Sequence, residues 1–81
     1  MMETEQIKKI IAAGLACEGL SVEGDGQHFE AIIVSAAFVG KNRVQRQQLV
    51  NALLRPLFDS GELHALSMKT ITPDERSALL G

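Results

Sequence analysis

The fold of this chain depends on residues 20–35, whose sequence is Leu-Ser-Val-Glu-Gly-Asp-Gly-Gln-His-Phe-Glu-Ala-Ile-Ile-Val-Ser. Apolar and polar residues alternate over positions 20–23, which predicts a short strand. The segment 24–27 predicts a hairpin connection, because its glycines adopt positive φ without steric cost. Residues 29–35 are the longest strand candidate. One face of that strand would carry Phe29, Ala31 and Ile33, and the other would carry His28, Glu30, Ile32 and Val34.

Helices are predicted on both sides of this hairpin. Apolar residues recur at helical spacing from Ile7 to Leu15, which predicts an amphipathic helix over residues 4–17. Thr4 can cap its start and Gly19 can end it in the left-handed conformation. A second helix follows residues 40–43, with apolar positions at a period of 3.6 (Val50, Leu53, Leu54, Leu57 and Phe58). Pro56 falls inside it and predicts two helical pieces that meet near residue 55.

The C-terminal third adds one strand and one helix. Residues 63–70 form the third strand candidate. Thr72, Pro73 and Glu75 combine an N-cap, a proline at the first helical position and a capping-box glutamate, which predicts a last helix that ends near Leu80. The predicted order is α-β-β-α-α-β-α, a single α/β (α+β) domain over residues 1–81 with a three-stranded mixed sheet.

The topology brings the two histidines of the chain together. His28 and His64 each lie where a turn enters a strand. A helical crossover of about thirty residues between the second and third strands favours parallel pairing, whereas the hairpin is antiparallel. Whether the third strand pairs with the first or the second, His64 approaches the turn that ends at His28. We therefore expect two imidazoles at one edge of the sheet.

Two imidazoles can bind a metal or sense pH, but they do not complete a metal site. Imidazole is the commonest neutral metal ligand and titrates near neutral pH. Tetrahedral zinc needs four ligands, or three and a water molecule, and only Asp25 offers a further ligand nearby in sequence. Any metal here would need ligands from a partner. The alternative is structural: His64 would be a core-edge residue that alternates with Leu66 and Met68, and His28 a solvated loop residue.

Composition limits the class of protein. Eighty-one residues make one domain, and a net charge of −2 argues against strong nonspecific binding of nucleic acid by the whole molecule. One cysteine, Cys17, excludes an intramolecular disulfide and fits a reducing compartment. The apolar runs are too short for a membrane span, and the N-terminus lacks a signal-peptide pattern. We expect a soluble cytoplasmic protein. The sequence contains no nucleophile motif, no calcium-binding loop and no phosphate-binding loop, so we do not expect an enzyme.

A second candidate site is the basic start of the second helix. Lys41, Arg43 and Arg46 lie there among amide side chains, and Lys69 in the third strand belongs to the same set. Such side chains contact phosphates and base edges, and a helix N-terminus attracts anions. A nucleic acid, a glutathione carboxylate or an acidic protein would suit this set; a solvated basic face is the alternative. We also expect Ile32 and Val34 to be partly exposed, because the helices are expected to cover one sheet face only, although the last helix could cover them.

Three segments resemble the BolA family: residues 22–29 (Val-Glu-Gly-Asp-Gly-Gln-His-Phe), residues 38–46 (Phe-Val-Gly-Lys-Asn-Arg-Val-Gln-Arg), and residues 63–70 (Leu-His-Ala-Leu-Ser-Met-Lys-Thr) followed by Thr72-Pro73. The resemblance covers nearly the whole chain, and the histidine in the first hairpin loop is most similar to the short bacterial subgroup linked to acid stress. It departs from many members at Gln47, where they have histidine, and at Arg76, where they have tryptophan.

The resemblance implies a class II KH-like fold and a non-enzymatic partner of monothiol glutaredoxin that shares a [2Fe-2S] cluster with it. His64 would be the leading ligand and His28 the second, and the glutaredoxin cysteine and glutathione would supply the rest. No cofactor is expected in the isolated chain, which would be a monomer or a weak homodimer. The family's alternative role, transcriptional regulation by DNA binding, would use Lys41, Arg43 and Arg46. Stress response and iron homeostasis are the implied settings.

Overall fold

The computed structural model describes residues 2–26 and 28–80, with side chains to residue 79. Its elements are α1 (Thr4–Gly14), β1 (Gly19–Gly24), β2 (His28–Val34), a short 3-10 turn (Ala36–Phe38), α2 (Arg43–Ser60), β3 (Ala65–Ile71) and α3 (Pro73–Leu80). Gln27, part of the predicted hairpin turn, lies outside the described residues. No helix in the described part of the chain is long and apolar enough to span a membrane.

The sheet has the order β1-β2-β3, with an antiparallel β1–β2 pair and a parallel β2–β3 pair. This confirms the predicted three-stranded mixed sheet in a single α+β domain. The predicted order of seven elements also holds, provided that the 3-10 turn counts as the first of the two consecutive helical segments. The predicted break near residue 55 is wrong, because α2 runs without interruption through Pro56.

One face of the sheet forms the hydrophobic core. Phe29, Ala31 and Ile33 of β2 are buried on that face, as the alternation predicted. α1 packs against β1 and α2, and α2 packs against β3. Their buried residues (Ile7, Ile11, Val50 and Leu54) join Phe38 and Leu63 in one cluster. The two long helices therefore cover the same side of the sheet.

The first helix is shorter than predicted. It ends at Gly14, and the N-cap is Glu3, whose backbone N–H donates to Gln6 Oε1 at 3.1 Å. Gly19 does not end the helix but begins β1. The chain leaves the helix early because residues 15–18 are tied to the end of β2. The Ser35 hydroxyl donates to the carbonyl of Ala16, and the Glu18 N–H donates to the carbonyl of Val34 at 2.8 Å.

The second sheet face is only partly covered. Ile32 is 44% exposed, as expected, but the expected exposure of Val34 is wrong, since only 4% of it is accessible. A Cβ atom at Gly19 would lie 3.2 Å from both Arg76 Nη1 and Val34 Cγ2, so α3 covers this end of the face. The capping box that starts α3 is confirmed: Thr72 Oγ1 accepts from the Glu75 N–H, and Glu75 Oε1 accepts from the Thr72 N–H, both at 3.1 Å.

Candidate functional site

The two histidines lie at the same edge of the sheet. His28 is the first residue of β2, and the parallel register pairs it with Ala65, which directly follows His64. Both histidines are exposed and border one cavity of about 830 Å³. Its other lining residues are Met2, Gln6, Gly26, Gly61 and Glu62. The predicted placement of both histidines at one edge of the sheet is confirmed, and their role as ligands stays a prediction.

A tight turn positions His28. Asp25 Oδ1 accepts a hydrogen bond from the His28 N–H at 2.9 Å, and the Asp25 N–H donates to the His28 carbonyl at 3.3 Å. Gly26 has a φ of 100°, which an L side chain rarely adopts. Both the N–H and the carbonyl of His28 are therefore held by hydrogen bonds to Asp25. The imidazole therefore projects from an ordered strand end.

His64 is placed by the end of α2. Gly61 ends that helix in the left-handed conformation, with a φ of 81°. Leu63 is 1% exposed, and its N–H donates to the Leu57 carbonyl at 3.1 Å. His64 follows this buried anchor and precedes β3, so it lies outside the strand in which the structural alternative had placed it with Leu66 and Met68. Because its side chain is exposed, the core-edge interpretation of His64 is wrong.

The chain does not complete a metal site by itself within the part that the structure describes. No three histidine, cysteine, aspartate or glutamate side chains there are placed to hold a metal ion. Cys17 lies just before β1, whose start pairs with the end of β2, and is thus at the sheet edge opposite His28. Its thiol donates to the Leu15 carbonyl at 3.3 Å, and partial burial raises its pKa. A raised thiol pKa disfavours the thiolate that binds metals.

Three cavity residues were missed by the sequence analysis. Glu62 brings a carboxylate to the cavity, and Met2 and Gln6 bring the start of α1 to it. Glu62 lies only two positions before His64, so the expectation that only Asp25 offers a further ligand nearby in sequence is wrong. Nothing in the sequence pattern placed Met2 and Gln6 there, because only the packing of α1 against the sheet brings them to this edge.

Arg46 is a structural residue and not a free cation. Its side chain is 13% exposed and makes a bidentate pair with Glu75 at 2.7 and 3.0 Å. It also donates to the carbonyls of Thr70 at 3.0 Å and Lys41 at 2.9 Å, and it lies 6.0 Å from the centre of the Phe38 ring. The hydrogen bonds from Arg46 and from the Thr72 backbone lower the pKa of Glu75 to about 2.

The other predicted cations remain accessible. Lys41, Arg43 and Lys69 are exposed. Arg43 and Lys69 border two adjacent cavities along β3, of about 400 and 330 Å³. The predicted basic set therefore divides into three accessible cations and one arginine that holds α2, β3 and α3 together.

Comparison with known proteins gives one consistent result. The family model described as "BolA-like protein" matches residues 8–75. The acid stress protein IbaG of Escherichia coli K12 is 36% identical over 74 residues, which cover 91% of this chain and 88% of that protein. A bolA protein homologue from Coxiella burnetii has a TM-score of 0.82 at 41% identity, with 95% of this chain and 99% of the other covered. The BolA domain of SufE1 from Arabidopsis thaliana has a TM-score of 0.81 at 36% identity, with 89% and 93% covered.

Proposed function

The chain belongs to the BolA-like family, and from this premise we propose that it is a non-enzymatic partner of a monothiol glutaredoxin with which it shares a [2Fe-2S] cluster. The observation that supports this proposal is the exposed pair of His28 and His64 on one cavity. The similarity to the BolA domain of SufE1 favours a role related to iron–sulfur clusters, and the similarity to an acid stress protein favours a role in stress response.

The donor set fits half of such a cluster. A [2Fe-2S] cluster takes four ligands, and in Rieske centres two histidines replace two cysteines on one iron. Here His64 and His28 supply two imidazole nitrogens, and the glutaredoxin cysteine and glutathione would supply two thiolates. Imidazole in place of thiolate raises the reduction potential of the cluster. The hairpin and the C-terminal cap of α2 hold the two histidine backbones, so this chain contributes positioned ligands and no catalytic step.

Reconstitution of the mixed complex tests the proposal. The protein is mixed anaerobically with a cluster-loaded monothiol glutaredoxin and glutathione, and visible absorption, circular dichroism and iron content are followed. We expect His64→Ala to abolish the spectrum of the mixed complex and His28→Ala to weaken it. His64→Cys should keep a cluster with a lower reduction potential, because thiolate can replace imidazole. An unchanged spectrum for His64→Ala would show that the ligand assignment is wrong.

The same variants should leave the fold intact. Both histidines are exposed, and surface substitutions usually change the free energy of unfolding by less than about 0.5 kcal/mol. Urea unfolding of His28→Ala and His64→Ala should therefore match the wild type within that margin. Asn51→Ala, an exposed change on α2 outside the cavity, is the matched control in both assays. A large loss of stability in a histidine variant would show that its effect on the cluster is indirect.

Binding of nucleic acid stays a second candidate, with a revised set of residues. The accessible cations Arg43 and Lys69 favour it, whereas Arg46 already binds Glu75. Affinity for DNA should fall steeply as the salt concentration rises. An Arg43→Ala/Lys69→Ala double variant should bind DNA about tenfold more weakly or worse, because it loses about two phosphate contacts. Equal DNA affinity of that variant and the wild type would exclude this role for the two cations.

A further inference from the structure

The centre of the sheet face opposite the long helices lies outside the histidine cavity. We call this surface the open face. It carries alternate side chains of all three strands, and those at its centre are exposed: Ser21, Glu23, Glu30, Ile32, Ser67 and Lys69. α3 covers the end at Val34, and its Leu79 borders a cavity with Lys69. None of these exposed residues lines the histidine cavity.

Two like charges face each other on the open face. Glu23 of β1 is the direct cross-strand partner of Glu30 in β2. Like charges directly opposite each other destabilise an antiparallel pair. Neither carboxylate has an ion-pair partner within residues 2–26 and 28–79. A cation from outside the molecule would therefore be attracted to this pair.

The neighbouring strand carries the opposite charge. Lys69 of β3 is the cross-strand partner of Ile32, and it borders the same cavity as Glu30 and Arg43. It also lacks an ion-pair partner among the described residues. Ile32 lies between the acidic and basic sides and is 44% exposed. The open face is thus acidic towards β1, basic towards β3 and apolar at its centre.

We propose that the open face binds a second copy of this chain through a two-fold axis that passes beside Ile32. A two-fold interface uses the same patch on both copies, so the patch must be complementary to itself. Lys69 lies on the strand next to Glu30 and is displaced from it by two residues along the strand direction. A two-fold axis oblique to the strands therefore places Lys69 of one copy over the Glu23–Glu30 pair of the other copy. The same rotation brings the two Ile32 side chains together.

The size of the face makes this dimer weak. Three strands spaced about 4.8 Å apart, over some five residues each at about 3.3 Å, present an area well below the roughly 800 Å² per partner of a stable complex. Its exposed ion pairs are screened by salt over about 10 Å at 0.1 M. The dimer should therefore form at high protein concentration and low ionic strength.

Reciprocal charge reversal tests this proposal. Sedimentation velocity and NMR diffusion are measured from about 0.05 to 1 mM protein at low salt, a range suited to weak interfaces. We expect Lys69→Glu alone, and Glu23→Lys/Glu30→Lys alone, each to raise the dimer dissociation constant about tenfold or more, because like charges then meet across the axis. An equimolar mixture of the two variants should recover affinity to within about threefold of the wild type, because both contacts regain opposite charges.

The controls separate this interface from general charge effects. Lys9→Glu mixed with Glu5→Lys makes the same kind of charge changes on exposed positions of α1 and should leave self-association unchanged. Ile32→Ser should weaken the dimer at low and at high salt, since its contact is apolar. Circular dichroism and urea unfolding verify that each variant is folded. A wild-type chain that stays monomeric at 1 mM, or a mixture no tighter than its separate components, would overturn the proposal.

Discussion

Gly24 shows how one residue controls the position of His28. A Cβ atom at Gly24 would lie 2.6 Å from the His28 carbonyl oxygen and would also collide with the Phe29 ring. The first neighbour is backbone and the second belongs to a buried side chain, so neither can move without cost. Gly26 is needed for a different reason, its φ of 100°. The sequence motif predicted a glycine turn but did not distinguish these two requirements.

We predict that Gly24→Ala destabilises the protein by about 1–3 kcal/mol, as overpacking of a tight site does. Urea unfolding measures the change, and an altered chemical shift of the His28 ring protons would show that the turn has moved. Gly40→Ala is the matched control. Gly40 has a φ of 79° but no atom within 4 Å of an added Cβ, so only the left-handed backbone cost of about 1–2 kcal/mol applies there. A Gly24→Ala variant with wild-type stability and His28 shifts would contradict the steric explanation.

At the scale of elements, α2 shows why a local rule failed. Proline removes one helical hydrogen bond and costs roughly 3 kcal/mol in a regular helix interior. Here Pro56 is exposed, and Leu57 and Phe58 beyond it pack against the core. The Leu57 carbonyl also accepts from the Leu63 N–H. Tertiary contacts therefore hold the last turn of the helix although the sequence disfavours it.

Pro56→Ala should stabilise the protein by about 1–2 kcal/mol, because the restored N–H can bond within the helix while the greater freedom of the unfolded chain offsets part of the gain. Thermal and urea unfolding measure this change. The exposed substitution Asn51→Ala on the same helix is the control, and it should shift stability by less than about 0.5 kcal/mol. A less stable Pro56→Ala variant would show that the proline is favourable in its place and that our account of α2 is wrong.

At the scale of the whole molecule, Arg46 connects three elements that are distant in sequence. Arg46 lies in α2, donates a hydrogen bond to the carbonyl of Thr70 in β3 and forms an ion pair with Glu75 in α3. The Thr70 carbonyl lies on β3, an edge strand of the sheet, so Arg46 also occupies an acceptor that could bind another strand. The same glutamate completes the capping box of α3. The Glu75 carboxylate thus both caps α3 and connects α3 to α2 through Arg46.

This pair makes stability depend on pH in acid. The pKa of Glu75 is lowered to about 2 in the folded protein from an ordinary value of 4.5. A lowered carboxyl pKa stabilises the fold fully above about pH 4.5, and the contribution is lost as pH falls towards 2. We predict that Glu75→Gln is less stable than the wild type at pH 7 and that the difference closes between pH 4.5 and 2. Urea unfolding at several pH values checks this, and a difference that does not depend on pH would contradict it.

Some parts of the candidate site could be predicted from the sequence, and others could not. The meeting of His28 and His64 followed from the crossover topology, because parallel strands start at the same edge. The exposure of His64 did not follow, since the strand begins at Ala65, two residues later than the pattern indicated. The role of Arg46 was also missed, because a basic residue at a helix start has the same local sequence whether it faces solvent or a glutamate 29 residues away.

Local sequence patterns were enough to predict the order of the elements, the hairpin, the capped last helix and the alternation that buries Phe29, Ala31 and Ile33. These features depend on local periodicity and on backbone preferences of glycine and proline, which a linear pattern contains. The packed fold was needed to show that α2 continues past Pro56, that α3 covers Val34 and that Arg46 is unavailable to a ligand. Those outcomes depend on contacts between distant residues, whose energies outweigh local preferences.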